Sequence, residues 1–347
     1  MTPAARVLLS CSVVVSGIAV PAWTPQSSGV SARLRGVSAT SDRVAWASGA
    51  NGTILRTADG GQDWQRLSIP ETNDLDFRDI DAVSATEAWA MSIGPGEASR
   101  IYRTTDAGTH WDQQFINHDP KVFLDAMAFW DATRGVAVSD SVDGRFVILL
   151  TRDGGTTWTR VPPDTLPPAL ANEGAFAASG TNVAVLPPND VWIGTGAAQK
   201  SRVLHSTDGG STWTIADTPL ASGPSSGIFS IAFRDARHGI VVGGDYKKES
   251  EPGQNVAITS DGGVTWTPTS GLGGFRSVVA YVPRSGPRSA IAVGPTGADW
   301  SDDDGRTWNA IAGDGYHAFA VARDSSRVIG WGVGEGGRIG LLGPARF

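Results

Sequence analysis

Thr151-Arg-Asp-Gly-Gly-Thr-Thr-Trp158 decides the fold, because the chain carries the same phrase six times. The other copies run from Thr57 to Trp64, Thr104 to Trp111, Ser206 to Trp213, Thr259 to Trp266 and Ser301 to Trp308. Each reads Ser/Thr-x-Asp-x-Gly-x-x-Trp, and the tryptophans recur about every 42 to 55 residues, the period of a propeller blade rather than of a helical repeat. Asp followed by Gly makes a tight turn, since Gly tolerates positive φ and Asp bonds its own backbone two residues on. Strand-like runs flank the turn, Gly52-Thr-Ile-Leu-Arg56 before it and Trp64-Gln-Arg-Leu67 after it, so the phrase is a hairpin tip with a Trp covering it. Its carboxylates are assigned to turns and not to catalysis.

Outward from each of these Asp-boxes the same four runs repeat. The first unit is Leu34 to Ser38, Val44 to Ala47, Thr53 to Arg56 and Trp64 to Ser68; the second is Phe77 to Ile80, Ala88 to Ala90, Ile101 to Arg103 and Trp111 to Ile116. Units three to six begin near Phe123, Ala175, Ile228 and Phe275. A seventh, with runs at Tyr316 to Phe319, Val328 to Trp331 and Arg338 to Leu341, stops without a box. Its missing run is expected at the other end of the chain, where Trp23-Thr-Pro25 matches Trp266-Thr-Pro268. The expected fold is therefore all-β: one seven-bladed propeller over residues 23–347, closed by the N-terminal strand completing the last blade.

Composition sets limits on the function. With 347 residues, 44 Gly and 20 Pro, the chain is turn-rich and long enough for one large all-β domain. A net charge of −7 and a longest basic run of Lys247-Lys248 argue against a nucleic-acid partner. Arg6, the mostly apolar stretch Val7 to Val20 and the small residue Ala22 read as a secretory signal over residues 1–22, too short to span a membrane. The expected mature protein is a periplasmic or secreted monomer with no membrane span. The single cysteine, Cys11, lies inside that signal, with most of the apolar stretch after it, where a lipoprotein box would need it before.

Inner runs line a propeller's channel, so equivalent positions form rings. The residue after each leading apolar position gives Arg35, Arg78, Leu124, Phe229, Arg276 and His317; the next adds Asp79, Asp125, Ser230 and Ser277. Arg35, Arg78, Arg276 and His317, with Asp79 and Asp125, are the candidate binding residues, since arginine forks suit carboxylate or phosphate. The simpler alternative is that Arg and Asp satisfy one another across blades. Two long connections, Pro162 to Pro168 and Gly243 to Gly253, are where specificity would sit on a rigid scaffold, unless the second is only a solvated hairpin tip. No metal is expected, because His110, His118, His205, His238 and His317 show no ligand spacing. Gly332-Val-Gly-Glu-Gly-Gly337 fits the dinucleotide fingerprint but joins two strands, with no helix N-terminus to receive a pyrophosphate, so no cofactor is expected.

Over its mature length the chain resembles the photosystem II stability/assembly factor family and its bacterial relatives outside photosynthesis. The resemblance is carried by Ile54-Leu-Arg-Thr-Ala-Asp-Gly-Gly-Gln-Asp-Trp64 and by the Phe-Arg-x-Ile type openings at Phe77 and Phe275. It implies a single exported seven-bladed propeller that binds a protein or peptide partner, a membrane-protein assembly intermediate among them, and has an Arg-rich patch to which Arg35, Arg78 and Arg276 could correspond. Relatives labelled oxidoreductases supply a further alternative, for which the chain offers no flavin, nicotinamide, haem or quinone motif. Sialidases share the boxes, but their Phe/Tyr-Arg-Ile-Pro opening is absent. Xyloglucan hydrolases also share the boxes and work in a cleft between two seven-bladed domains. A glycoside hydrolase is thus the competing class, its carboxylates to be sought among Asp79, Asp81, Asp125 and Asp245.

Overall fold

The boxes close on themselves through one recurring set of bonds. In the first, Thr57 Oγ1 donates to Asp59 Oδ1 (2.9 Å), the Gly61 N–H donates to Thr57 Oγ1 (2.8 Å) and the Asp63 N–H donates to Asp59 Oδ1 (3.1 Å). The third repeats them at 2.9, 2.7 and 2.8 Å, with Gly154 and Gly155 at φ of 72° and 93°, where a Cβ would be strained. In the second box the His110 N–H, and then its imidazole, hold the Asp106 carboxyl down at about 2. These carboxylates belong to the turns, as the sequence leads one to expect.

The computed structural model describes residues 21–282, 288–323 and 329–343. The signal assigned to residues 1–22 lies almost wholly outside them. Among the described residues the strands form seven four-stranded antiparallel sheets. Blade one is Leu34–Ala39, Ala45–Gly49, Thr53–Thr57 and Gln65–Leu67. The innermost strands of blades two to six are Asp76–Ala82, Leu124–Phe129, Val183–Leu186, Ser226–Phe233 and Val278–Tyr281. Blade seven takes Ala318–Val321, Gly330–Val333 and Ile339–Gly343 from the end of the chain and Ala22–Gln26 from its beginning, with Trp23 opposite Leu342. The exchange expected from Trp23-Thr-Pro25 is there. Gly332 to Gly337 is the hairpin between the last two of these strands, as expected.

Tryptophans on the second strands hold neighbouring blades together. Trp89 stacks on Phe129 (3.8 Å between centroids) and its Nε1 donates to the Gly154 carbonyl in the box of blade three. Trp192 stacks on Phe233 (3.7 Å) and donates to the Gly262 carbonyl in the box of blade five. Between blades seven and one the same bond runs through an intermediary. Trp331 Nε1 donates to Gln26 Oε1 (3.1 Å), and Gln26 Nε2 donates to the Gly60 carbonyl (2.9 Å) in the first box. Trp64 Nε1 donates to the same Gln26 Oε1.

Blade four departs from expectation. Its innermost strand begins at Val183, not near Ala175, because residues 175–182 leave the sheet and cross the channel. The Ala177 carbonyl accepts from Arg78 Nη1 of blade two (2.8 Å), Ser179 Oγ donates to the Ser277 carbonyl of blade six (2.8 Å), and Thr181 Oγ1 donates to Ser230 Oγ of blade five (2.8 Å). Gly180, at φ 75°, passes so close to Asp79 that a Cβ would sit 2.2 Å from Oδ1. This plug divides the channel into two cavities, one at each mouth.

Candidate functional site

The entrance built by the beginnings of the inner strands holds a cavity of about 470 Å³. Local backbone irregularity decides what faces it. The inner strands of blades one, two, three and five each carry one extra residue against their neighbour, with register shifts across Leu34/Gly36, Phe77/Asp79, Leu124/Ala126 and Ile228/Ser230. The residues inside those shifts are Arg35, Arg78, Asp125 and Phe229, and a bulge re-aims its side chain. All four line the cavity, as does His317. Asp125, not Leu124, is thus the blade-three equivalent of Arg35 and Arg78. Counting from Phe123 as the leading apolar position falls one residue out of phase there.

One wall of this mouth is cationic. Arg78 Nε donates to Asp76 Oδ2 (2.9 Å), and Arg33 approaches the same oxygen at 3.8 Å. Arg35 pairs with no carboxylate among the described residues. Its Nη1 donates to His317 Nδ1 (3.2 Å), and its Nε is enclosed with no acceptor. Burial, and then the charges of Arg78 and Arg33, push the Arg35 guanidinium down to about 10. Burial and the adjacent Arg35 push His317 down to about 4, which leaves it neutral at pH 7. Its Nδ1 then accepts from Arg35 while Nε2 donates to Glu335 Oε2 (3.2 Å).

The other wall is aromatic and acidic. Phe176 of the plug stacks on Phe229 (3.9 Å), and Phe275 and Tyr246 make T-shaped contacts with Phe229, with centroids 4.7 and 6.0 Å away. Tyr246 and Glu249 come from the long Gly243 to Gly253 connection, which folds back so that the Glu249 carbonyl accepts the Phe275 N–H (2.9 Å). Beneath lie Asp125, 2% exposed, and Asp140, whose Oδ1 accepts the Ala175 N–H (2.9 Å). Burial, and then the charge of Asp140, push the Asp125 carboxyl well above the usual range; burial also raises Asp140. Asp140 and Phe176 carry no repeat signal in the sequence, since Phe176 rides on the plug and Asp140 meets it through the Ala175 N–H, whereas Phe229 and the connection bearing Tyr246 are legible there.

The remaining candidates lie elsewhere. Arg276 is 3% exposed and buried against Asp299, its Nε donating to Oδ2 at 2.7 Å and its Nη1 to the Phe275 carbonyl and Thr296 Oγ1. Asp79 lines the second cavity, of about 230 Å³, at the opposite mouth, where it accepts the Met127 N–H at 2.7 Å. Burial, eased by that N–H and then reinforced by the charge of Asp81, pushes the Asp79 carboxyl up to about 8. The unfolded chain loses this proton near pH 4. Folded protein therefore holds an extra proton between roughly pH 4 and 8, and stability falls across that window as pH rises. Asp79→Asn is expected to remove this slope, gaining on the order of a few kcal/mol over the parent at pH 9 relative to pH 5. Parallel urea-unfolding profiles for the two proteins would show that Asp79 carries no such proton.

Comparisons with known proteins agree with the architecture. Residues 16–122 match the family model described as photosynthesis system II assembly factor YCF48. YCF48 from Cyanidioschyzon merolae superposes with a TM-score of 0.67 at 18% identity, covering 94% of this chain and 100% of that one. A YCF48 bound to D1 peptide superposes at 0.65 and 18% identity, covering 93% and 98%. The xyloglucanase of Xanthomonas campestris gives 0.65 at 16% identity, covering 92% of this chain and 53% of that one. A probable oligoxyloglucan-reducing end-specific xyloglucanase of Neosartorya fischeri is 27% identical over 220 residues, 56% of this chain, and the chain spans only 25% of that relative's length. The chain is a seven-bladed Asp-box propeller, similar over residues 16–122 to the YCF48 assembly-factor family model and, over most of its length, similar in fold to YCF48.

Proposed function

We propose that the arginine-bearing mouth binds a segment of a protein or peptide through a carboxylate, making the chain a binding scaffold rather than an enzyme. The observation that carries this is Arg35, a guanidinium enclosed at a cavity wall with no carboxylate partner among the described residues and with two more arginines beside it. A cation drawn out of water without a counter-ion is costly, and a ligand carboxylate relieves that cost with charge-assisted hydrogen bonds. The apolar wall formed by Phe176, Phe229, Phe275 and Tyr246 would bury the rest of the segment. Support also comes from the YCF48 structure of like fold, which is bound to D1 peptide. The apolar stretch Val7 to Val20 ahead of the first strand supports placing the scaffold outside the cytoplasm.

The hydrolase reading keeps one foothold, the two carboxylates Asp125 and Asp140 in an aromatic-lined cavity. One test addresses both. Acetylated tetra-alanine with a free C-terminal carboxylate is expected to bind by NMR titration at least about tenfold more tightly than its amide, and Arg35→Gln to abolish that preference. Equal affinities for acid and amide would remove the carboxylate reading. Release of reducing ends from xyloglucan oligosaccharides, lost in Asp125→Asn, would replace the scaffold with a hydrolase.

A further inference from the structure

The acidic side of the mouth is unexplained by a site for carboxylates alone. Asp125 sits at a bulge, is 2% exposed, lines the cavity, and its Oδ2 finds no hydrogen-bond partner among the described residues. Its cationic neighbour forms no ion pair with it among the described residues. Arg78 is committed through Nε to Asp76 and through Nη1 to the Ala177 carbonyl, and neither Asp125 nor Asp140 forms an ion pair with any described residue. A buried carboxyl oxygen without a partner costs about 1–3 kcal/mol if nothing arrives to satisfy it. Phe176, Phe229, Phe275 and Tyr246 line the same cavity, and aromatic rings attract cations through their π faces.

We infer that Asp125 and Asp140, with Phe176, Phe229 and Tyr246, form a cation subsite that receives the basic side chain of a bound peptide whose carboxylate lies at Arg35. The inference rests on the peptide-binding reading of this mouth and narrows it to dipolar segments, with a Lys or Arg near a carboxylate. A cavity of about 470 Å³ falls within the range of small-ligand sites, roughly 300–1,000 Å³, and holds both poles at once. Burial and then the Asp140 charge push the Asp125 carboxyl well above the usual range, and an arriving ammonium opposes both causes. A ligand with a negative or apolar side chain there would leave Oδ2 unsatisfied, so the subsite selects as well as attracts.

The test uses acetylated tetrapeptides of alanine with a free carboxylate, carrying lysine or its uncharged isostere norleucine at the last, second-last or third-last position. Titrated against the full chain, at least one lysine peptide is expected to bind about tenfold or more tightly than its norleucine twin. Asp125→Asn is expected to cut that ratio below about threefold, and Asp140→Asn to reduce it in the same direction. Thermal melts confirm that each variant folds. If norleucine peptides bind in an Arg35-dependent way and lysine brings no advantage at any position, the cation subsite is wrong and the carboxylate site stands. If no peptide binds at all, both fall.

Discussion

Deleting residues 23–29 is expected to lower the melting temperature of the chain by about 10 °C or more, far beyond what a terminal trim does. The segment supplies the outer strand of blade seven, pairing Trp23 with Leu342 and Gln26 with Ile339. Trp23 lies 4.4 Å from Tyr316 and 5.9 Å from Phe319 between ring centroids. Losing a packed Trp costs about 3–5 kcal/mol where burial is full, and somewhat less for this half-buried one. Gln26 adds a second loss, because Trp64 Nε1 and Trp331 Nε1 both donate to its Oε1. Both indoles are buried, and each stranded N–H adds about 1–3 kcal/mol. Gln26→Ala isolates that part and should fall between the parent and the deletion. A melting temperature within about 2 °C of the parent for the deletion would mean that the ring does not depend on this strand.

Arg276→Gln is expected to destabilise the fold by about 3–5 kcal/mol. Its guanidinium and the Asp299 carboxylate are each 3% exposed, and removing the cation leaves a buried negative charge behind. Asp299→Asn in the same chain should recover much of the loss, since the charge is then gone as well; a double-mutant cycle in urea measures the coupling. A loss under about 0.5 kcal/mol would show the pair to be incidental. Any binding defect in Arg276→Gln is to be judged against this loss of stability, whereas Arg35→Gln breaks no ion pair with a described residue.

How far the sequence carries can be traced residue by residue. Six boxes and the Trp23-Thr-Pro25 echo were enough for seven blades and the exchanged strand, because turn chemistry and strand period are local and repeat. The mouth was legible only in part. Arg35, Arg78 and His317 come together there, whereas Asp125 was shifted by a phase, since a bulge adds one residue to a period of two and sequence alternation does not register it. Asp79, one position beyond the bulge, faces the opposite cavity. Residues 175–182, Ala-Phe-Ala-Ala-Ser-Gly-Thr-Asn, stand where the repeat puts an inner run, but their partners lie in blades two, five and six. No local pattern reports contacts of that range. Arg276 follows the same sequence template as Arg78, but the inner strand of blade six carries no such register shift and Arg276 pairs inward with Asp299 of the third strand.

The exchanged strand also constrains the order in which the molecule can be made. Joining two points some 300 residues apart in an unstructured chain costs about 5 kcal/mol of closure entropy, and a five-residue strand pairing repays that poorly. Once the intervening blades stand as an arc, the same two ends are already near each other and the penalty largely disappears. The latch is therefore the last contact to form, and until it does the Ile339–Gly343 strand presents an open hydrogen-bonding edge to whatever other chains are present.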